Sequence, residues 1–475
     1  MRFTDVGSET SGVRAVNELT ARWAAVAATG TSTGLGTGTG TGPGTVTNTG
    51  TNTGTNTGTD TEKTIGSSAG PGTGPSTAPA TGSTTDRPTS SPSPDGDSST
   101  GTVFSAAGLW PLLGFLADGA GGAARAELAE AIGLPAERAA ATAREVLSVL
   151  DELPGVDAAM GLWSKRTLEL RRQWVGGLPP HAHGALTGSA AKDKQALDAW
   201  AAERTGGRIR EMPVLLEDDT ELVMASALAL ETDWVHPFEP RWVRPHTGPW
   251  RGRQLAGLGR STPRVEQSCL ARAPEGSVTE CKVTGLGGLA VHLLLGDEGM
   301  TPGQVLAAGV DLLAGLLPTV PGDRLTERDT GPGLEVLTVP CLAPTPPTLH
   351  VTTVAFDVSA RHDLLAHAEL FGLRSATVRD TGHFPGISAQ PLAVGSAQQS
   401  ATASFTEHGF KAAAVTAIMI AAAGAAPSRQ QKRYTTTRIH ATFDRPFGFL
   451  CVHRESGLAL AAGWVTEPTP YPGTS

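Results

Sequence analysis

Between Gly30 and Gly101 the chain runs through Thr-Gly and Thr-Asn repeats into a Ser/Pro/Thr tract that ends at Ser98-Ser99-Thr100. This stretch has almost no apolar side chains to bury, so it is expected to stay disordered. Whatever folds must come from its two flanks. On the N-terminal side Val13, Val16, Leu19, Trp23 and Val26 recur at spacings of three and four, which predicts an amphipathic helix over 11–28 that needs a partner. On the other side lie roughly 370 residues from Gly101 onward, enough for one large domain with a substantial core. The tract at 29–100 therefore reads as an insertion between the first helix and a body at 101–468, not as a linker joining two domains.

The net charge of -9 leaves no cationic footprint for nucleic acid. No run of 18 apolar residues exists to span a bilayer, and the first ten residues lack the apolar core of a secretory signal, so no membrane partner and a cytoplasmic location are expected. Cys269, Cys281, Cys341 and Cys451 are widely spaced without a Cys-x-x-Cys, and read as free, buried thiols. His181-x-His183 sits in a Pro-rich loop with no third ligand in view, and His236, Glu239 and His246 make an equally poor metal set. No Gly-x-Ser-x-Gly elbow or phosphate-binding loop is present. The chain is read as no enzyme, with no metal and no cofactor.

In the body, Leu222 to Leu230 and Leu289 to Leu295 are almost continuously apolar and predict fully buried strands. Leu197, Trp200 and Ala201 share a helical face that Thr205-Gly206-Gly207 ends with a glycine cap. Helices are also expected at Ala123–Ile132, Val305–Leu317 and Asp363–Leu373, and strands at Leu334–Leu342 and Ala401–Thr406. Two apolar strands, Thr442–His453 and Leu458–Val465, are joined by Arg454-Glu455-Ser456-Gly457 as a hairpin.

The stretch from Glu407 to Ile420 is different in kind. Its alanines favour helix, then β-branched residues favour a pleated surface, so no single state is preferred. Read as a strand, it puts Phe410, Ala412, Ala414, Thr416 and Ile418 on one face and Lys411, Ala413, Val415, Ala417 and Met419 on the other. Mostly small side chains on both faces let such a segment slip between two existing strands. Gly409 is placed as the hinge that absorbs the backbone change.

These residues resemble the reactive-loop hinge of the serpins, a family of serine protease inhibitors, and ordered matches follow along the chain. They include Phe104-Ser105, Thr205-Gly206-Gly207, Trp234 followed by Pro237-Phe238, Gly386-Ile387-Ser388 and Phe443-Asp444-Arg445-Pro446-Phe447. The departures are Ala106, Gly108, Cys341 and Gly448, together with Gln399 where many members carry a histidine. The chain is thus identified as a bacterial-type member with a Thr/Gly-rich insertion. The resemblance implies an α+β serpin fold of three β-sheets, one of them a large central sheet, with about eight to nine helices and an exposed reactive-centre loop at 407–434. It also places Val339-Pro340 in the family's Val-Pro-Lys strand. Trp234 is assigned to the breach, where the loop first inserts, and Ser105 and Gln399 to the shutter beneath the middle of the sheet.

The same resemblance implies a monomeric suicide substrate, and it admits an extracellular location. A protease cuts near Ala423-Gly424, and the hinge residues Glu407, Gly409, Phe410, Ala412, Ala413, Ala414 and Thr416 lead the loop into the sheet. A small residue at the cut favours an elastase-like or subtilisin-like serine protease as partner. A second class stays open, a serpin-fold binding or storage protein that inhibits nothing. Two features speak for it: the unusual length of the loop, and Phe410, whose ring would enter a pocket shaped for a smaller side chain at a cost of roughly 1–3 kcal/mol.

Overall fold

The computed structural model describes residues 10–27, 101–179, 182–207, 209–212, 214, 216–379, 381–411 and 434–471. The Thr/Gly tract and the loop at 412–433 lie outside the described residues. Continuous apolar runs become the interior of a rear sheet in the order β1 (Gly101–Phe104), β19 (Ala459–Val465), β18 (Phe447–His453), β10 (Leu289–Gly296), β9 (Gly276–Thr284), β8 (Ser268–Ala273) and β11 (Thr319–Pro321). Every neighbouring pair in it is antiparallel. β10 and β19 are buried at every residue, which is why their sequences do not alternate. Helices α1 (Ser11–Ala27) and α7 (Pro302–Leu313) pack on each other, and α7 lies against this sheet. The predicted apolar stripe of α1 is its buried face, with Val13, Val16, Leu19 and Trp23 in the core.

A second sheet has the order β12 (Leu334–Cys341), β17 (Tyr434–Thr442), β13 (Thr348–Val354), β7 (Leu255–Thr262) and β6 (Glu239–Val243). Leu334–Leu342, expected as a strand, forms β12, the outer strand of this sheet, and β13 is followed after Ala355 by β14 (Phe356–Asp363). Both stretches alternate in hydropathy, and only long-range pairing tells them apart.

The central sheet runs β3 (His183–Leu186), β2 (Val156–Lys165), β4 (Leu222–Leu230), β15 (Ser396–Phe405), β16 (Gly409–Lys411) and β5 (Thr232–Asp233), with β14 on the other edge of β15. Behind it lie α2 (Ala106–Gly119), α3 (Gly122–Ile132) and α4 (Ala136–Glu152), while α5 (Arg172–Gly177) is a short connector. α6 (Ala190–Arg204) buries Leu197 and Ala201 against Val223 of β4 and ends as expected at Gly206 and Gly207, both at positive φ.

The architecture is α+β with three sheets. Seven α-helices stand among the described residues, where about eight to nine were expected. The expected helix at 363–373 is a 3-10 turn at Leu365–His367 closed by Gly372 at φ 67°. Beyond α7, glycines and prolines between Gly315 and Gly333 leave only a short strand and a 3-10 turn. All four cysteines are free, three of them buried, and burial pushes the Cys281 and Cys451 thiols up to about 12. No described helix is long and apolar enough to cross a membrane.

Candidate functional site

The site lies along the seam between β4 and β15. These two strands pair in parallel, from Ser396 opposite Val223 to Ala401 opposite Leu228, whereas their outer neighbours β2 and β14 pair with them antiparallel. The seam is lined by small side chains, among them Ala397, Ser400, Ala401, Ala403 and Ser404 on β15 and Ala225 and Ser226 on β4. The hydroxyls of Ser396, Thr402 and Ser404 are buried with no partner. A third strand running antiparallel to both would exchange one parallel ladder for two antiparallel ones, the more stable pairing per residue.

At the upper end such a strand has already begun. After Phe405 the chain reverses over Thr406, whose N–H and hydroxyl both donate to the Gly409 carbonyl, at 2.9 and 3.1 Å. β16 then pairs with β15 on one side, Phe410 opposite Phe405, and with β5 on the other, Phe410 opposite Thr232. The hinge therefore starts as a wedge between the strands it is expected to part. Gly409 is needed for proximity: a Cβ there would fall 2.4 Å from the Thr232 carbonyl oxygen. Trp234 fastens the wedge. Its backbone N–H donates to His408 O at 2.8 Å and its indole Nε1–H to Thr406 O at 2.9 Å, while Phe238 N–H donates to Glu407 O at 2.8 Å. Glu407 is buried, with its carboxylate 3.7 Å from His408 Nε2.

Phe410 is 1% exposed, so its ring is seated before any cut. It meets Phe449 of the rear sheet edge-on at 5.9 Å; Phe449 stacks on Phe356 at 5.1 Å, and Phe356 on Phe405 at 5.4 Å. Trp234 and Phe238 close the cluster over Phe405, and the buried Arg260 guanidinium lies 4.8 Å from the Phe238 ring centroid. Burial holds the Arg260 pKa below its ordinary value. Phe449 thus forms one wall of the Phe410 site, and the ring is accommodated there in the uncut protein.

Beneath the middle of the seam, Gln399 Oε1 accepts from Ser105 N–H and its Nε2 donates to Ser105 O, both at 2.8 Å. One amide thus supplies both functions to one backbone unit. Ser105 Oγ caps α2 by accepting from Gly108 N–H at 3.0 Å and donates to Leu460 O at 2.5 Å. Ser226 Oγ donates to Gly108 O at 2.7 Å. Gly108 makes that approach possible, since a Cβ there would stand 3.0 Å from the Ser226 hydroxyl. Two members of this network, Ser226 and His362, were not singled out in the sequence. A lone serine inside the apolar run at 222–230 was the available signal for the first. His362 lies opposite Gln399 on β14, its Nε2–H donates to Val103 O at 2.9 Å, and burial pushes its pKa below the ordinary value.

Ala412, Ala413, Ala414, Thr416, Ala423 and Gly424 lie outside the described residues, as does His181. His183 faces Ser164, with Nε2 to Oγ at 2.9 Å. The structure brings together Ser105 with Gln399, and Glu407, Gly409 and Phe410 with Trp234, as two stations of one seam.

The central sheet thus has a parallel seam whose upper end holds a short strand, β16, paired with β15 and β5. The sequence model of the serpin (serine protease inhibitor) family matches residues 93–247 and 347–468. Serpin-ZXA of rice, Oryza sativa subsp. japonica, is 31% identical over 161 residues, covering 31% of this chain and 41% of that protein. A second rice serpin is 38% identical over 79 residues, 17% of this chain and 18% of its own. The chain therefore spans less than half the length of the curated relatives it matches. Among solved structures, Serpin48 of the insect Tenebrio molitor is similar with a TM-score of 0.55 at 19% identity, over 78% of this chain and 92% of that one. The native thermophilic serpin tengpin aligns with a TM-score of 0.58 at 14% identity, over 79% and 90%. The chain belongs to the serpin family. Members of that family are in general protease inhibitors and not enzymes.

Proposed function

We propose that this protein is a suicide-substrate inhibitor of a serine endopeptidase. The observation that carries the reading is β16, a hinge already paired on both sides at the top of a parallel seam. The protease serine attacks the carbonyl carbon of the bait residue, Ala423 in this proposal, to form an ester, and the amine of Gly424 leaves. The cut frees the chain beyond Lys411 from Tyr434. Strand parity then carries Ala412, Ala414 and Thr416 down the face that Phe410 already occupies, and the acylated protease is dragged with them. Loop insertion by serpins is itself a standard example of strand addition and released strain. The driving force is the exchange of the parallel ladder for two antiparallel ones. Until the cut, the native state is held kinetically.

The test is to mix the protein with pancreatic elastase, subtilisin and trypsin, and to look for an adduct that survives denaturing electrophoresis, with N-terminal sequencing of the released fragment. An adduct with elastase or subtilisin and a new terminus at Gly424 is expected. Thr416→Arg should turn trapping into simple cleavage, because a guanidinium would have to be buried in the sheet. Clean cleavage of the unaltered protein, with no adduct and no gain in thermal stability, would instead support the binding or storage reading.

A further inference from the structure

The outer face of the five-stranded sheet carries side chains that loop insertion does not use. Register places Glu335 beside His440, His440 beside His350, and His350 beside Ser261, in one row across β12, β17, β13 and β7. The two imidazoles stack with centroids 4.8 Å apart and planes inclined by 13°. Ser261 Oγ lies 2.8 Å from His350 Nδ1, and His350 Nε2 has no partner.

Arg241 and Arg438 are exposed on the same face. A Cβ on Gly259 would fall 1.7 Å from the Arg241 Cζ, so that guanidinium lies flat on bare backbone. Arg438 stands next in line after His440 on β17, opposite Leu337 and Thr348. Neither guanidinium is paired with a carboxylate among the described residues. Two carboxylates share the face, Glu239 on β6 and Glu335 on β12, each on an edge strand of the sheet. Neither acts on His350, whose proton affinity is lowered by burial and then by His440, Arg438 and Arg241.

Two arginine forks and two imidazoles thus border a floor of Gly257, Gly259, Ser261 and Thr352. Guanidinium forks match the geometry of phosphate and sulfate oxygens. We propose that this face binds a phosphate- or sulfate-bearing anion, gripped by Arg241 and Arg438, and that the histidine pair couples this binding to the uptake of a proton. Stacked imidazoles repel when charged, and an anion beside them relieves that repulsion. By reciprocity, an anion that favours the protonated pair is itself bound more tightly as pH falls through the histidine range. The site stands whether or not the loop traps a protease.

Isothermal titration of the full chain with inorganic tripolyphosphate and, separately, sucrose octasulfate tests this at pH 7.5 and 5.5. Using buffers of different ionisation heat reads proton uptake alongside affinity. Binding of sucrose octasulfate, whose own charge is constant over this range, should tighten at the lower pH by about tenfold per pH unit for one fully coupled proton. Binding of only one of the two assigns the site to phosphate or to sulfate. Combined Arg241→Gln and Arg438→Gln should abolish binding, whereas combined His350→Gln and His440→Gln should keep the affinity at pH 7.5 and lose the pH dependence. If the double arginine variant fails to fold, Arg438→Gln alone reads the same loss in part. Silence with both anions, indifference to the arginines, or a pH dependence that survives without the histidines overturns the proposal.

Discussion

The rear sheet and the seam of the central sheet come from one chain and are made in opposite ways. In the rear sheet the ladders are antiparallel throughout, β10 and β19 are wholly buried, and Phe447, Phe449 and Leu293 fill its core side. A carboxylate buried in it, Glu280, is fully met: His292 Nδ1 lies 2.6 Å away and Cys269 Sγ–H donates at 3.2 Å. Burial alone would raise its pKa, but His292 and Lys282 outweigh that and hold it at about 2. The seam has small side chains, a parallel ladder and three hydroxyls without partners. The rear sheet leaves one such hydroxyl, that of Thr279 on β9, so the two regions differ most in ladder direction and side-chain size. In the proposed mechanism the capacity to change is concentrated in a single line between these two strands.

The comparison can be broken most directly in the rear sheet. Phe449→Ala should cost about 3–5 kcal/mol in urea unfolding, the usual loss for a buried ring; a loss below about 1 kcal/mol would show that this sheet is not the rigid partner. Beneath the seam, Gln399→Leu leaves the N–H and carbonyl of Ser105 without this partner, and about 2–3 kcal/mol should be lost in the same assay. A smaller effect tests His362. Its folded pKa lies below the ordinary 6.5, so the unfolded chain takes up a proton that the folded one refuses. Thermal stability should be full above that value and decline as pH falls below it, and His362→Gln should flatten the slope. The smallest change has the opposite sign. Ser404→Ala removes a buried hydroxyl that nothing satisfies, and should raise native stability by up to about 1 kcal/mol, whereas a loss would mean that the hydroxyl already has a partner such as water.

What the sequence disclosed depended on how local each feature is. The first helix, the glycine stop after α6, the buried run at 222–230 and the C-terminal hairpin are written in spacing and capping residues, and each appears within a few residues of its expected bounds. Trp234 and Ser105 are singled out by short motifs around them, and Gln399 by counting back from Glu407. The wedge at Gly409–Lys411 could not be foreseen, because it depends on Thr232 and Phe405 reaching it from two other strands. Phe410 looked costly for the same reason, since Phe449, its aromatic neighbour, is 39 residues away in sequence. β12 was legible as a strand, but not its place at the sheet's edge, because its partner β17 lies about a hundred residues downstream. Ser226 and His362 sit inside apolar or alternating runs and are informative only once their acceptors, Gly108 O and Val103 O, are known.

Strand order also bears on synthesis. β18 and β19 stand between β1 and β10, and β17 stands between β12 and β13, although all three come late in the chain. A nascent chain on the ribosome therefore cannot close the five-stranded sheet until residue 442 has emerged, nor the rear sheet until residue 465 has. Until then the central sheet's strands are available without the contacts that Phe449 makes with Phe410 and Leu460 with Ser105. The chain must complete both sheets late, after most of it has already been made.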